Sequence, residues 1–457
     1  MGLDVRLAVA IPLCTAMTAS DATASGLATS RYGGEHGNPI SSNPTAIYFN
    51  PAAISGLEGT HLYSDTMVMV RDGSYSHAPH ATDVAEPAGL EGANTDRASL
   101  MNVAVVPTLG ATHALGDFTL GVGFFVPFGG GTSWSENERF AGNPSYPGAV
   151  GGAQRWHTLD GRMQLLYWTL AAAYEIPDIG LSLGVSGSLI LSEIASNQAR
   201  TAVADNNLET EGRSLIDVAT LAGGFAAGAV FEALESQLWL GGSYTSRPNV
   251  AGGHRLTGTL KNNFGSIDEF DAELHQDIPD VIRFGVRYRP VPHLEVRLHG
   301  DWTRWSAFED QCVALSGNPC EPAGAARPPD EPAPLQNIRR DWHDAVGVRI
   351  GVSYWITPRW ETFTGFGYDG NAIPDETLEP SLVDFEDFGF AAGLRVEIIE
   401  EHLHGTLCYT HFVNVPRDNA DRSETALATE SFNLAPDAGG HYTETMGLIN
   451  ASVEVGF

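Results

Sequence analysis

The chain has 457 residues, of which 18% are charged and 51 are Gly, against roughly 25% charged and 7% Gly in ordinary soluble domains. Its formal charge is −31, and 24 of its 25 bases are Arg because Lys261 is the only lysine, which excludes nucleic acid as a partner bound through counterion release. Mean hydropathy is −0.10 and no apolar run approaches the ~18–20 residues of a membrane-spanning helix, so a helical membrane protein is excluded as well.

At the start, Leu7–Ala19 form an apolar stretch after Arg6, and Ala22-Thr23-Ala24 supplies a small-x-small cleavage site. A signal peptide is predicted over 1–24, with the mature protein beginning at Ser25. Export implies an oxidising compartment, where Cys312 and Cys320, eight apart in a Pro-rich stretch, are expected to form a local disulfide. Cys14 leaves with the signal, and Cys408 is expected to be a small buried residue. Residues 25–58 follow with neither helical nor strand period. They are rich in Gly, Asn, Pro and Ser and too short to fold alone.

From about Gly59 onward the pattern alternates. Leu294, Val296, Leu298, Gly300 and Trp302 share one parity, while Glu295, Arg297, His299, Asp301 and Thr303 share the other. Ile282, Phe284, Val286 and Tyr288 stand likewise against Arg283, Gly285, Arg287 and Arg289. Such period-two segments read as strands with one apolar and one ionic face. Strands are predicted at 59–72, 99–114, 117–129, 162–176, 180–196, 214–233, 236–249, 280–290, 293–307, 343–357, 359–371, 387–399, 402–415 and 443–457. Connections after the odd-numbered strands are long and those after the even-numbered ones are tight, such as Gly116, Pro177-Asp178 and Pro358. Loops segregated to one side, with an even strand count, predict an all-β fold: a 14-stranded antiparallel transmembrane β-barrel of the bacterial outer membrane over 59–457. Trp302, Trp305 and Trp342 at one end of their strands, and Trp355 and Trp360 at the other, suggest two interfacial aromatic girdles. The last strand ends in Phe457, as do strands read by the outer-membrane barrel assembly machinery. It is expected to pair with the first strand, because barrels abolish edges. A barrel this wide is not filled by its own side chains, so residues 25–58 either hang in the periplasm or plug it from within.

Enzyme chemistry is not expected. H-E-x-x-H and G-x-x-x-x-G-K-[ST] do not occur, and Gly129-Gly130-Gly131-Thr132 lacks the lysine of a phosphate loop. Glu401-His402-Leu403-His404 lies at a predicted turn, so neither a metal nor a cofactor is expected.

Asn50-Pro51-Ala52, in SNPTAIYFNPAAISGLEG, resembles the hatch signature of the FadL-like outer-membrane transporters of long-chain fatty acids and of their aromatic-hydrocarbon relatives. Ser25-Gly26-Leu27 and Arg31 through Glu35 are similar to that family's mature N-terminus. Val126-Pro127-Phe128-Gly129, Ile278-Pro279-Asp280, Asp301 through Ser306, Asp341 through Asp344 and Tyr368-Asp369 match in order along the chain. The resemblance implies a monomeric barrel with a hatch at 25–58, including Asn50, Pro51 and Ala52. Leu27 is implied to be the hatch residue that reaches the ligand pocket. Long-chain fatty acids or other hydrophobic ligands would be captured in an apolar pocket and released by hatch movement, or laterally at a kink near Gly121–Gly129.

Phe124, Phe125 and Phe128 are candidates to line that path. Arg283, Arg287 and Arg349 are candidates to anchor a head group, since Arg grips carboxylates bidentately, although pairing with acids such as Glu295 or Asp301 is the competing role. Acidic loop runs at Asp83–Glu86, Asp375-Glu376 and Asp384–Asp387 suggest either divalent cations shared with lipopolysaccharide among the outer-membrane lipids or the ordinary solubility of a surface. A general diffusion porin or structural barrel is the alternative, and it would need no plug.

Overall fold

Alternation of apolar and polar residues produces one closed antiparallel sheet. A computed structural model describes residues 31–78, 86–201, 208–250, 252–263, 266–320, 334–424 and 437–457. The predicted signal peptide, Leu27 and Asp83 through Ala85 lie outside them. Fourteen strands form the wall: β1 (Thr60–His77), β2 (Arg97–Leu115), β3 (Phe118–Ser133), β4 (Asp160–Ile176), β5 (Leu181–Thr201), β6 (Glu211–Leu234), β7 (Leu238–Thr245), β10 (Val281–Val291), β11 (Leu294–Thr303), β14 (Ala345–Thr357), β15 (Trp360–Asp369), β16 (Asp387–Ile399), β17 (Leu403–Asn414) and β19 (Gly440–Gly456). Each pairs with the next. β19 pairs with β1 from His61↔Gly456 to His77↔Gly440, which removes the sheet edge.

The burial pattern is that of a membrane barrel. Leu120, Val122, Leu170, Val185, Phe284, Leu298, Ile350, Phe390 and Leu407 are exposed, whereas Asp65, Arg71, Arg283, Glu295, Arg297, Glu361, Asp369 and Asn450 are buried. A water-soluble sandwich would reverse this. Here the outward parity is solvated by lipid and the inward parity by other polar groups.

The long connections carry structure that alternation did not predict. β8 (Arg255–Asn263) and β9 (Ile267–Gln276) form a hairpin between β7 and β10. β12 (Asp310–Leu315), β13 (Gln336–Arg339) and the two-residue β18 (Arg417–Asp418) lie in later loops. β6 makes room for the hairpin. Its 24 residues span roughly 55 Å along the axis at ~3.3 Å per residue and ~45° tilt, well beyond the ~30 Å of hydrocarbon. Its half near the turns, from Ala226 onward, pairs with β7, and Arg213–Ala219 at the loop end pair with β8. β9 then pairs with β12 and β12 with β13, which raises the wall above the membrane.

The two-girdle expectation is corrected at the loop end. Trp355 and Trp360 flank a tight turn as expected, but Trp305 and Trp342 are buried. Their rings lie 4.9 Å apart, with Phe308 4.8 Å from Trp342 and Phe128 6.0 Å from Trp305. They form an inward aromatic cluster, because the chain turns inward after β11 through the short helix Trp305–Ala307.

Candidate functional site

The N-terminal segment packs against the inward parity of the wall. Thr45 precedes a single helical turn, Ala46–Phe49. Asn50 then caps a 3-10 helix, Pro51–Gly56: its Oδ1 accepts from the Ala52 N–H at 3.1 Å, and Pro51 occupies the first position, where no N–H is needed. The same Asn50 side chain donates through Nδ2 to the Pro39 carbonyl at 2.8 Å and to the Ala229 carbonyl of β6 at 3.1 Å. Ser243 of β7 donates to the Phe49 carbonyl at 2.6 Å. This approach requires glycine on the wall: a Cβ at Gly184 would lie 2.3 Å from the Ala52 nitrogen, and one at Gly228 would lie 2.1 Å from Asn50 Oδ1.

The opposite flank of the segment is held by charge. Arg31 Nη2 donates to Asp369 at 2.6 Å, His36 Nε2 lies 2.9 Å from Glu361, and the Gly33 N–H donates to Asp65 at 2.8 Å. Glu35 sits over Gly365, and its Oε2 has no hydrogen-bond partner among the described residues. Burial raises the Glu35 carboxyl above its ordinary range, against the pull of Arg297, Arg31, His36 and Arg349.

The three phenylalanines separate. Phe125 faces inward, 5.4 Å from Tyr32 and 5.6 Å from Tyr48, and Phe128 is buried beside Trp305. Phe124 is corrected: it lies on the outward parity, its ring tilted against the exposed Trp168 at 5.6 Å, so it faces lipid rather than a path.

A one-residue bulge separates these rings. Phe125 pairs with Tyr167 but Phe128 with Leu165, leaving Val126-Pro127 as the irregularity. Proline has no N–H for a ladder. The β2–β3 ladder accordingly runs only from Leu115↔Phe118 to Leu109↔Phe124, and the strands meet again at the isolated bridge Leu100↔Trp134. The seam between is a window in the backbone ladder, crossed by Asn102 Nδ2 donating to the Gly131 carbonyl at 3.4 Å, and the bulge itself lies within the Gly121–Gly129 neighbourhood considered for a kink.

The arginines also separate. Arg349 bridges Asp301 at 2.6 Å and Asp369, so its charge is neutralised. Arg287 stacks on Trp239, 3.9 Å from the ring centroid. Arg283 differs: it is buried, donates to Tyr48 Oη at 2.8 Å and Thr245 Oγ1 at 2.9 Å, and lies over the Tyr48 ring. Among the described residues it has no carboxylate at ion-pair distance. It lines a cavity of about 40 Å3 between the N-terminal segment and the wall, with Phe49, Phe128, Val281 and Asp301. A larger cavity of about 110 Å3 lies on the loop side, lined by Gly130, Gly131 and Thr132, which begin two residues after Phe128, and by residues of β5, β9, β12 and β13. Phe128 itself lines the smaller cavity and not the larger one.

The loops around the larger cavity are braced by ionic contacts. Arg340 donates to Glu379 at 2.9 Å and His157 lies 3.3 Å from it. Burial opposes ionisation of Glu379, but Arg340 and His157 outweigh it and hold the carboxyl well below its ordinary range. Arg155 is fully buried and engages Glu211 at 3.1 Å and Asn94 at 2.9 Å. Cys312 and Cys320 are bonded, and Cys408 is buried. Acids expected at a cation-binding surface are partly engaged internally: Asp375 pairs with Arg417 and Arg422, and Asp384 accepts from the Ala372 N–H.

Two serine features bear on hydrolysis. Gly180-Leu181-Ser182-Leu183-Gly184 has nucleophile-elbow spacing, but it runs from the β4–β5 turn straight into β5 with no helix after it, and Ser182 accepts from Ser55 at 2.8 Å. His254 Nε2 lies 2.9 Å from Ser192 Oγ, with both residues buried and neither on the two cavities. This pair fastens the loop after β7 to β5.

Residues 5–401 match the family described as outer membrane protein transport protein (OMPP1/FadL/TodX). No curated protein matches the chain in sequence. Among solved structures, a Pseudomonas aeruginosa FadL homologue is 16% identical with a TM-score of 0.74, the match covering 96% of this chain and 100% of that one. The Ralstonia pickettii toluene transporter TbuX is 15% identical with a TM-score of 0.61, covering 94% and 98%. The Pseudomonas putida toluene transporter TodX is 14% identical with a TM-score of 0.63, covering 94% and 98%. At these identities the likeness is one of fold. With the closed barrel and a family match over most of its length, the chain belongs to the OMPP1/FadL/TodX family of outer-membrane transport proteins for hydrophobic compounds.

Proposed function

We propose that this protein carries long-chain fatty acids, or hydrophobic molecules with a similar acidic head, across the outer membrane. Arg283 carries the reading. A buried cation without a carboxylate is costly unless something anionic joins it, and it faces a cavity with Phe49 and Phe128 on its walls. A fatty carboxylate supplies the missing charge through the planar guanidinium fork, while the acyl chain lies against aromatic surface. Cargo enters the loop-side cavity, passes Phe128, and leaves either through the β2–β3 window or past residues 31–58 acting as a hatch.

The test is uptake of labelled oleate and of labelled dodecane by cells expressing the protein or its Arg283→Leu variant. The variant barrel is checked for folding by heat-modifiable electrophoretic mobility. Loss of the anchor is expected to lower oleate uptake about tenfold, or ~1.4 kcal/mol, with dodecane uptake unchanged. Equal oleate uptake by a folded variant removes Arg283 as the anchor.

A further inference from the structure

The loop-side cavity contains more hydrogen-bonding groups than hydrocarbon capture requires. Met163, Leu274 and other apolar side chains share its lining with Gln198 of β5, Gln276 of β9, Gln311 of β12 and Gln336 of β13. Its buried charges are matched: Arg71 is paired with Glu444 and Arg340 with Glu379. Arg162, which also contributes, lies on the outward parity and is exposed. The cavity therefore offers amides rather than a free buried charge.

The amides are oriented and incompletely satisfied. Arg340 donates to Gln311 Oε1, and Gln311 Nε2 donates to Gln276 Oε1 at 2.7 Å. That relay leaves Gln276 Nε2 directed at Met163, whose sulfur accepts at 3.3 Å. A thioether is a weak acceptor, so a ligand oxygen is a better partner for that donor. Gln198 Nε2 donates to Gln336 Oε1 at 3.3 Å, which among the described residues leaves Gln336 Nε2 and Gln198 Oε1 available to the cavity. A hydrocarbon placed here leaves these donors unanswered, whereas a hydroxyl or carbonyl oxygen answers them. Sites built to bond an oxygen discriminate strongly against analogues that lack it.

We propose that Gln276, with the Gln198–Gln336 pair, makes the loop-side cavity select hydrophobic cargo bearing an oxygen, charged or neutral, over bare hydrocarbon. Long-chain alcohols and carbonyl compounds then join the acids as cargo. Charge is read only further in, at Arg283. The inference rests on the loop-side cavity being the capture site.

The experiment measures equilibrium binding of labelled 1-hexadecanol and labelled hexadecane to the full-length protein in lipid nanodiscs. Wild type is compared with Gln276→Leu and with the double variant Gln198→Leu, Gln336→Leu. Wild type is expected to bind the alcohol about tenfold more tightly than the alkane. Both variants are expected to lose that preference while retaining alkane affinity. Equal binding of alcohol and alkane by wild type overturns the inference but leaves the capture reading intact, as does a preference that survives in both folded variants. Binding of neither probe overturns both. The wild-type ratio needs no variant, so a variant that fails to fold does not remove the test.

Discussion

Three side chains separate charge, size and solvation within one lumen. Arg283 has no carboxylate at ion-pair distance among the described residues, its ladder partner Asp301 being engaged by Arg349, which on the same inward parity is bridged to Asp301 and Asp369. Strand pattern made the two equal candidates, and only their neighbours distinguish them. Phe128 bears on size: it lines the inner cavity, and Gly130, two residues on, lines the loop-side one, so cargo passing between the two cavities would meet its ring. Phe128→Ala is expected to join them, raising the rate of oleate uptake and admitting bulkier fluorescent acids that wild type excludes. Uptake kinetics across a series of head-group and chain sizes will read this directly. Glu35 controls solvation. A carboxyl whose folded value is raised binds protons more tightly when folded, so it favours the docked segment at low pH and disfavours it as pH rises through that value. Glu35→Gln removes this partly buried charge while keeping its shape. The substitution is expected to stabilise docking at neutral pH by about 1–3 kcal/mol, seen as slower amide exchange at Gly34–Gly37 and weaker dependence of that exchange on pH.

At the scale of elements, β3 and the loop strands carry the functional asymmetry. The Val126-Pro127 bulge ends the β2–β3 ladder, so deleting Pro127 should restore register between Phe125 and Leu165 and extend pairing across the window. If cargo leaves laterally, that deletion lowers uptake at least tenfold with the barrel still folded. If cargo leaves past residues 31–58, uptake persists. The loops depend on a titratable brace. Because Arg340 and His157 hold Glu379 below its unfolded value of about 4.3, the brace contributes fully above that value and weakens as pH falls through the lowered one. Limited proteolysis between residues 370 and 386 should accelerate below about pH 4 in wild type. In Glu379→Gln it should be fast at all pH values. The glycines were legible as an excess in composition. Their purpose at Gly184 and Gly228 appears only when the backbone of Ala52 and the side chain of Asn50 are placed against them.

For the whole molecule, the distinction is between a plugged conduit and an open pore. Residues 31–58 touch the inward parity on several sides of the barrel, through Asn50 and Phe49 on β6 and β7 and through Arg31, Gly33 and His36 on β15 and β1. Removing 25–58 is expected to turn a closed barrel into a channel with persistent, large single-channel conductance in planar bilayers and to abolish selective oleate uptake. A general diffusion porin predicts unchanged conductance for the same deletion.

The sequence alone determined the barrel, because period two with segregated loop lengths admits few other solutions. The fourteen strand positions were readable from local pattern, and the pairing of the last strand with the first from the need to abolish edges. What tertiary structure decided lies where patterning is silent. β8, β9, β12 and β13 are short, lack a clean apolar face and depend on β6 rising above the membrane to supply an edge. Trp305 and Trp342 read as interfacial by spacing but turn inward with the chain. Phe124 and Phe125 are neighbours in sequence, and a strand's alternation sends one to lipid and the other to the lumen. Which parity is inward is fixed by closure of the sheet, and so is whether a given Arg meets a carboxylate or the hydroxyls of Tyr48 and Thr245. Closure brings together residues hundreds of positions apart, a relation that no local period encodes.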